Sequence, residues 1–364
     1  MIEELFEKIK NEKPLTVPDL RQILELESPA DLDRLFKAAY AVKERFSGRK
    51  VFLRGLIEVS NICRKDCYYC GIRKSIKTTQ RFQLSLQEIV DAAMWAHSRR
   101  YGSIVIQGGE RDDEPFIKLI EDAILEIKEK SAGRLGITLS MGEQTPEVYQ
   151  RWFDAGAHRY LLRIESSNPE LYRKLHPPDH SHDIRLQCLD SLKNIGYQVG
   201  TGVMIGLPFQ TIDDLIGDLL FFQEMDVDMI GMGPYLVSRD TPLAKEMPDF
   251  ETLKAQQLKL GLKMIAAARL LLKDVNIAAT TALQALDPQG REQGLLAGAN
   301  VIMPNLTDVQ YRASYQLYDN KPCLDENSEQ CRFCLERRVQ SIGETIAWDE
   351  WGDSRHFAAR KNGH

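Results

Sequence analysis

No apolar run in this 364-residue chain approaches the roughly 20 residues that a membrane-spanning helix needs, and the N-terminus, MIEELFEKIK, is charged throughout. The expectation is a cytoplasmic protein with no membrane partner. Positive charge is not in excess either: 47 Lys and Arg stand against 53 Asp and Glu, a formal net charge of -6. Nothing in that balance draws the chain to a nucleic-acid backbone. Cysteines are too few for a disulfide framework, which suits small secreted domains. There are seven: Cys63, Cys67 and Cys70 in one group, Cys323, Cys331 and Cys334 in another, and Cys188 alone. Cys188 sits on the apolar stripe of RLQCLDSLKNIG and reads as a small buried thiol. Clustered thiols in a reducing compartment point instead to metal or catalysis. The chain also lacks internal repeats of fixed period and low-complexity tracts.

What is present is a globular composition, 43% hydrophobic and 27% charged, enough for a large core. Residues 1–48 read as a short helical section, with Thr16 placed to cap TVPDLRQILEL and SGRK ending the third helix. From residue 49 the pattern changes to short apolar runs: VFLRGLIEVS, GSIVIQGG, GITLSMG, HRYLLRIES, QVGTGVMIGLP, MIGMGPYL, NIAATTAL and ANVIMPN. Amphipathic stretches such as SLQEIVDAAMWAHSRR and TIDDLIGDLLFFQEM lie between most of them. Strand and helix in alternation predict parallel strands with crossovers, and eight units over roughly 250 residues fit an α/β (β/α)8 TIM barrel spanning 49–305. An open doubly wound sheet is the alternative. Residues 306–364, rich in charge, form a C-terminal extension.

In such a barrel chemistry gathers where strands end, and the loop ICRKDCYYCG follows the first strand. Zinc would want a fourth ligand, and no histidine precedes His97. A cubane iron-sulfur cluster held by Cys63, Cys67 and Cys70 fits three soft thiolates better and leaves one iron open. IQGGE, residues 106–110, ends the second run with two glycines that let backbone approach a ligand, followed by Glu110. RIES places Arg163 and Glu165 on one side of the fourth run, and a charged pair inside a barrel mouth must be paired or must bind something polar.

The spacing CRKDCYYC, with Tyr69 before the last cysteine, resembles the signature of the radical S-adenosylmethionine superfamily. The resemblance implies a 4Fe-4S cluster whose open iron chelates S-adenosylmethionine, with Gln107, Gly108, Gly109 and Glu110 near the methionine amino group. One electron then splits the sulfonium to a 5'-deoxyadenosyl radical.

Longer stretches, among them YLLRIESSNPELYRKL, GLPFQTIDDLIGDLLFF, DMIGMGPYL, NIAATTAL, GANVIMPN and YRASYQLY, resemble one subfamily, the FeFe-hydrogenase maturase HydE. That resemblance runs over nearly the whole chain. It implies a role in assembling the hydrogenase H-cluster, through its bridging dithiomethylamine ligand, with a small cysteine-bound iron complex as substrate. It also implies other hydrogenase maturases and an electron donor such as a ferredoxin as partners. Carried over, Glu165 and Arg185 bind S-adenosylmethionine, while Arg163, Met229, Thr280, Thr281 and Tyr315 line the substrate cavity. The family often has serine where this chain has Gly108, which leaves no hydroxyl role there. CLDENSEQCRFC resembles a second site found in some members; a second iron-sulfur cluster, zinc closed by another ligand and reduced thiols are all compatible with three cysteines. HPPDHSHD, with His176, His180 and His182, reads as a solvated Pro-rich loop. A mutase of the methylornithine synthase type and a noncatalytic iron-sulfur scaffold are the competing readings.

Overall fold

Nearly every residue of the first strand, β1 (Lys50–Ser60), is buried, on both faces. A strand of that kind must be covered on both sides, which parallel strands with crossover helices achieve. The computed structural model describes residues 2–325 and 328–361. After β1 come β2 (Ser103–Gly108), β3 (Gly136–Ser140), β4 (Arg159–Leu161), β5 (Gln198–Thr201), β6 (Met204–Ile205), β7 (Met229–Ile230), β8 (Gly233–Pro234), β9 (Asn276–Ile277), β10 (Val301–Ile302) and β11 (Thr345–Ile346). The order is β10-β1-β2-β3-β4-β5-β7-β9, all parallel. The sheet curls until β9 meets β10: Ala278 bridges Val301, and Ala279 N–H donates to the Val301 carbonyl at 2.9 Å. The expected α/β barrel is what forms. β6 and β8 pair with each other beyond β5 and β7, toward the mouth.

The crossover helices start where the sequence supplies caps. Ser85 and Glu88 form a reciprocal capping box at Leu86–Ser98, Asp113 caps Glu114–Lys130, and Thr211 with Asp214 caps Ile212–Glu224. Helix His182–Ile195 stops at Gly196, whose φ of 107° suits a residue without Cβ. Before the barrel, helices Val17–Leu24 and Pro29–Ser47 lie against Phe250–Leu272, and helix Ile2–Lys10 lies against Pro29–Ser47. Thr16 takes the capping role expected of it, its N–H donating to Asp19 Oδ2 at 2.8 Å.

The extension returns to the starting ends of the strands. β11 pairs with the first residues of β1, and buried Glu344 accepts from Lys43 and from Tyr40 of helix Pro29–Ser47. Residues 350–354 then cross the base of the barrel. The Gly352 carbonyl accepts from Asn276 Nδ2 at 2.8 Å and from Arg54 Nη2 at 3.2 Å. Asp353 pairs with fully buried Arg159 at 2.5 Å, and Ser354 N–H donates to Gln198 at 3.0 Å. Arg159, Gln198 and Asn276 are each the first residue of a strand, so the tail closes the end opposite the cysteine loop.

Candidate functional site

Cysteines 63, 67 and 70 occupy the loop that leaves β1, and the chain fixes that loop from several sides. Asp66 accepts both arms of Arg73 at 2.7 and 2.6 Å and the N–H and hydroxyl of Ser75 at 3.0 and 2.7 Å. Arg81 donates to the carbonyls of Asn61, Ile72, Arg73 and Ile76 at 2.6 to 2.9 Å. The loop backbone also ties to distant segments: Tyr68 N–H to the Leu175 carbonyl and Gly71 N–H to that of Leu317, both at 2.9 Å. Each thiol is partly buried. Burial, first, raises all three titrations, Cys70 to about 12; neighbouring thiols add to it at Cys67 and Cys70, and the Glu110 charge does so at Cys63. Three sulfurs so placed become thiolates together only when a cation compensates them, which is what iron supplies.

β2 ends directly against this loop. Gly109 N–H donates to the Ser60 carbonyl at 2.8 Å, and a Cβ on Gly109 would fall 2.9 Å from Cβ of Cys63, so only glycine allows the approach. Gly108 is less confined: a Cβ there would meet Met141 Sδ at 3.2 Å. Gln107 donates to the hydroxyl of fully buried Tyr315 at 3.1 Å. Arg64 N–H donates to the Glu110 carbonyl at 2.9 Å, and its Nε to Glu110 Oε1 at 3.0 Å, so the cysteine loop and the Gly-Gly-Glu stretch hold one another.

A chain of buried charges continues round the mouth. Glu143, after β3, accepts from Lys65 Nζ and from Arg185 Nε, both at 2.7 Å, and its backbone N–H donates to Glu110 Oε2 at 2.9 Å. Burial works to raise the Glu143 titration, but Arg185 and Lys65 outweigh it and hold the carboxyl near 2. Glu110, with weaker pairing, is raised by burial and by Glu143. Arg185 also donates to the Arg163 carbonyl at 2.6 Å. Arg163 Nη2 lies 2.9 Å from Glu165 Oε2 as an ion pair lacking hydrogen-bond alignment, and donates to the Val203 carbonyl at 2.9 Å. Glu165 Oε2 and Arg163 Nε are left without hydrogen-bond partners although buried. Glu165 adopts φ of 66°, strained for a residue with a side chain. Unspent polar atoms on paired charges are what a zwitterionic ligand could satisfy, so the residues fit S-adenosylmethionine beside a cluster.

Farther along the mouth, Thr280 Oγ1 is buried without a partner, Thr281 hydrogen-bonds Tyr318, and Tyr315 stands under Lys321 Nζ, 5.2 Å from its ring. Met229 is not among them. As the first residue of β7 it lies at the base, its sulfur 2.8 Å from Arg54 Nη1, beside Thr138 and Leu161. Its expected place on the substrate wall is corrected: side chains from strand starts point into the closed lower layer.

The histidine loop is corrected too. His176 and His180 are buried, not solvated. His176 stacks on Tyr172 at 3.9 Å and accepts from the Tyr69 hydroxyl at 3.3 Å, and His180 Nδ1 lies 3.8 Å from Cys67 Sγ. Burial lowers their titrations to about 3 and about 4.

Lys65 and Glu143 went unrecognised in the sequence, as did Glu58, which accepts from Lys321 and from Asn305 at 3.0 Å. Gly142-Glu143 after β3 repeats the Gly-Glu of the β2 end, with Gly142 at φ of 73°, and that echo was the available signal.

The second cysteine group spans a loop and a helix. Cys323 lies in a loop at φ of 63°, its sulfur 3.9 Å from Gln284 Nε2, while Cys334 sits in helix Ser328–Ser341. The Cys331 side chain lies outside the described residues.

Comparison with known proteins meets this geometry. Residues 57–222 match the model of the Radical SAM superfamily. The FeFe hydrogenase maturase subunit HydE of Thermotoga maritima is 43% identical over 97% of this chain and 98% of its own length. The 3-methylornithine synthase of Methanosarcina barkeri is 29% identical over 94% of this chain and 93% of its own. Among solved structures, methylornithine synthase superposes with a TM-score of 0.78 at 25% identity, over 95% of this chain and 98% of that one. HydG, a maturase of the FeFe-hydrogenase, does so with 0.81 at 20% identity, over 100% and 80%, which speaks for the fold alone. With a cysteine loop, a Gly-Gly-Glu strand end and a charged mouth arranged on one face, and with that identity over its whole length, the chain belongs to the HydE family of the radical S-adenosylmethionine superfamily.

Proposed function

We propose that this chain is a radical S-adenosylmethionine enzyme of FeFe-hydrogenase maturation. The observation that carries it is the packing of Gly109 and Glu110 against the loop of Cys63, Cys67 and Cys70, with the unsatisfied atoms of Glu165 and Arg163 facing the same mouth. Cys63, Cys67 and Cys70 hold a 4Fe-4S cluster. When bound and reduced, that cluster would supply one electron to the sulfonium of S-adenosylmethionine, whose broken C5'–S bond would give methionine and a 5'-deoxyadenosyl radical.

The chain's own residues bind and orient. Glu110 and the carbonyls near Gly108 and Gly109 take the methionine ammonium, Arg185 the carboxylate, and Glu165 the polar edge of the nucleoside, with Tyr69 and Gln107 in the surrounding wall. Arg163, Thr280, Thr281 and Tyr315 enclose a small anionic substrate; three hydroxyls and one guanidinium suit a cysteine-bound iron complex. The product belongs to the bridging dithiomethylamine ligand of the H-cluster, in concert with other maturation factors and with an electron donor of the ferredoxin type. Cys323, Cys331 and Cys334 hold a second metal outside this chemistry.

Anaerobic reconstitution with iron and sulfide, then reduction with S-adenosylmethionine present, tests the reading. About four irons per chain on the first site and release of 5'-deoxyadenosine are expected. A loaded protein that leaves S-adenosylmethionine intact is a scaffold, and the proposal fails.

A further inference from the structure

His180 touches the cysteine loop at two points. Its Nε2 accepts from the Asp66 backbone N–H at 3.4 Å, and its Nδ1 lies 3.8 Å from Cys67 Sγ. A neutral imidazole carries one proton, and an Nε2 that accepts an amide leaves that proton on Nδ1, so the Nδ1–H points at sulfur. The ring cannot readily turn away. His180 is buried, its neighbour His176 lies 5.4 Å off at an interplanar angle of 32°, and His176 is fixed in turn. His176 Nδ1 donates to the Tyr172 carbonyl at 2.9 Å, which leaves Nε2 to accept from Tyr69. Cys67, His176 and His180 have their donor atoms within 4.8 Å of one another, a grouping that could also hold a lone metal ion. A cluster thiolate and a lone metal ion cannot both use Cys67.

We propose that His180 is a positioning residue for the cluster, donating its Nδ1–H to Cys67 Sγ and thereby raising the reduction potential of the iron-sulfur group. The physical reason is that reduction adds negative charge to the cluster sulfurs, and a donor aimed at one of them stabilises the reduced form more than the oxidised form. The proposal rests on the reading that Cys63, Cys67 and Cys70 hold a 4Fe-4S cluster, and it goes beyond that reading by giving a role to the His-rich loop.

The test is a mediated redox titration of the reconstituted full chain, followed by the electron paramagnetic resonance of the reduced cluster, with iron and sulfide counted in every sample. His180→Ala should lower the reduced-to-oxidised ratio at fixed poise about tenfold, about 59 mV for a one-electron couple. His180→Asn, whose amide nitrogen reaches the Nδ1 position, should recover most of that shift; His180→Gln, whose nitrogen reaches Nε2 instead, should not. His182→Ala, at the start of helix His182–Ile195 with its ring 5.2 Å from that of Tyr172, should leave the potential where it was. If His180→Ala takes up no cluster, the Asn and Gln variants still decide, since equal potentials in the two overturn the proposal. So does a His180→Ala potential equal to the parent's, a His182→Ala shift of the same size, or one zinc per chain in place of iron. A parent chain that never takes up four irons defeats the underlying reading and the proposal with it, whereas full loading with unmoved potentials defeats the proposal alone.

Discussion

The two ends of this barrel both bury ionised side chains, and they complete them differently. At the base, Arg159 donates to Asp353 at 2.5 Å, to the Trp351 carbonyl at 3.0 Å and to Thr138 at 2.9 Å, and two of those partners come from the chain's own tail. At the mouth, Glu110, Glu143, Lys65, Arg185, Arg163 and Glu165 pair among themselves, and among the described residues none of the last fifteen is hydrogen-bonded to them; buried atoms stay without partners at both ends, Arg163 Nε and Glu165 Oε2 at the mouth, Arg54 Nε and Arg159 Nη2 at the base. An end closed by covalently attached residues contributes stability. An end that the chain leaves open contributes binding, because partly desolvated charges there favour a ligand that supplies partners, whereas unpartnered atoms sealed under the tail do not reach one.

The sharpest way to break the comparison is to remove a cluster ligand. Cys67→Ala should abolish release of 5'-deoxyadenosine and 4Fe-4S uptake, while the thermal midpoint of the metal-free protein moves by only a few degrees. If the midpoint collapses, mouth and base are one cooperative unit.

Arg185→Met comes next. It deletes the guanidinium between Glu143 and the Arg163 carbonyl, at 2.7 and 2.6 Å. The expected result is a loss of roughly 100-fold in kcat/KM for S-adenosylmethionine, about 2.7 kcal/mol, with cluster loading retained. Equal losses of iron and of turnover would mean that Arg185 shapes the cysteine loop instead of holding the cosubstrate.

Asp353→Asn strikes the base. It weakens the partner of fully buried Arg159, and since Asp353 is itself partly exposed the cost is roughly 2 kcal/mol, below that of a fully buried pair. Denaturant unfolding measures it. Activity per folded, loaded molecule should not change, and a fall would show that the base tunes the mouth.

Much of this contrast was legible in the sequence, and its limits have physical causes. Alternating apolar runs and capped helices gave away the barrel even though β7, β9 and β10 are two residues long, because burial on both faces constrains composition along the whole run. The cysteine spacing and Gly-Gly-Glu were legible because their chemistry is local. Met229 was misplaced because height within a barrel depends on register, here Met229 opposite Gly200, and a run such as MIGMGPYL does not mark where its strand begins. The histidine loop was misread for a related reason: Pro and Asp do predict a turn, but what covers it is the cysteine loop, more than a hundred residues earlier. No periodicity announces that residues 350–354 close the base.

The smallest expected effect sharpens the base alone. His356, in the last helix Arg355–Lys361, has Nε2 at 2.6 Å from Asp226 and Nδ1 at 3.1 Å from Asp274. Both nitrogens can donate only in the imidazolium form, and these carboxylates raise its titration to about 9. Arg360 and Lys193 also face Asp226, at 2.8 and 3.2 Å, so the latch is weakened, not opened, when the ring loses its proton. A raised folded-state pKa means the contribution is complete below about 6.5 and lost as pH climbs through about 9. Discounted for partial exposure, it is worth roughly 1–2 kcal/mol. Asp353 runs the other way, its titration held low by His158 and Arg159 against the opposing effect of burial, so its contribution fades as pH falls below the usual carboxylate range. Stability of the metal-free protein should therefore decline between pH 7 and 9.5, and His356→Gln should flatten that alkaline limb while leaving the acid limb set by Asp353 in place. An unchanged alkaline limb in the variant would mean that the last helix does not hold the base, and that residues 350–354 close it unaided.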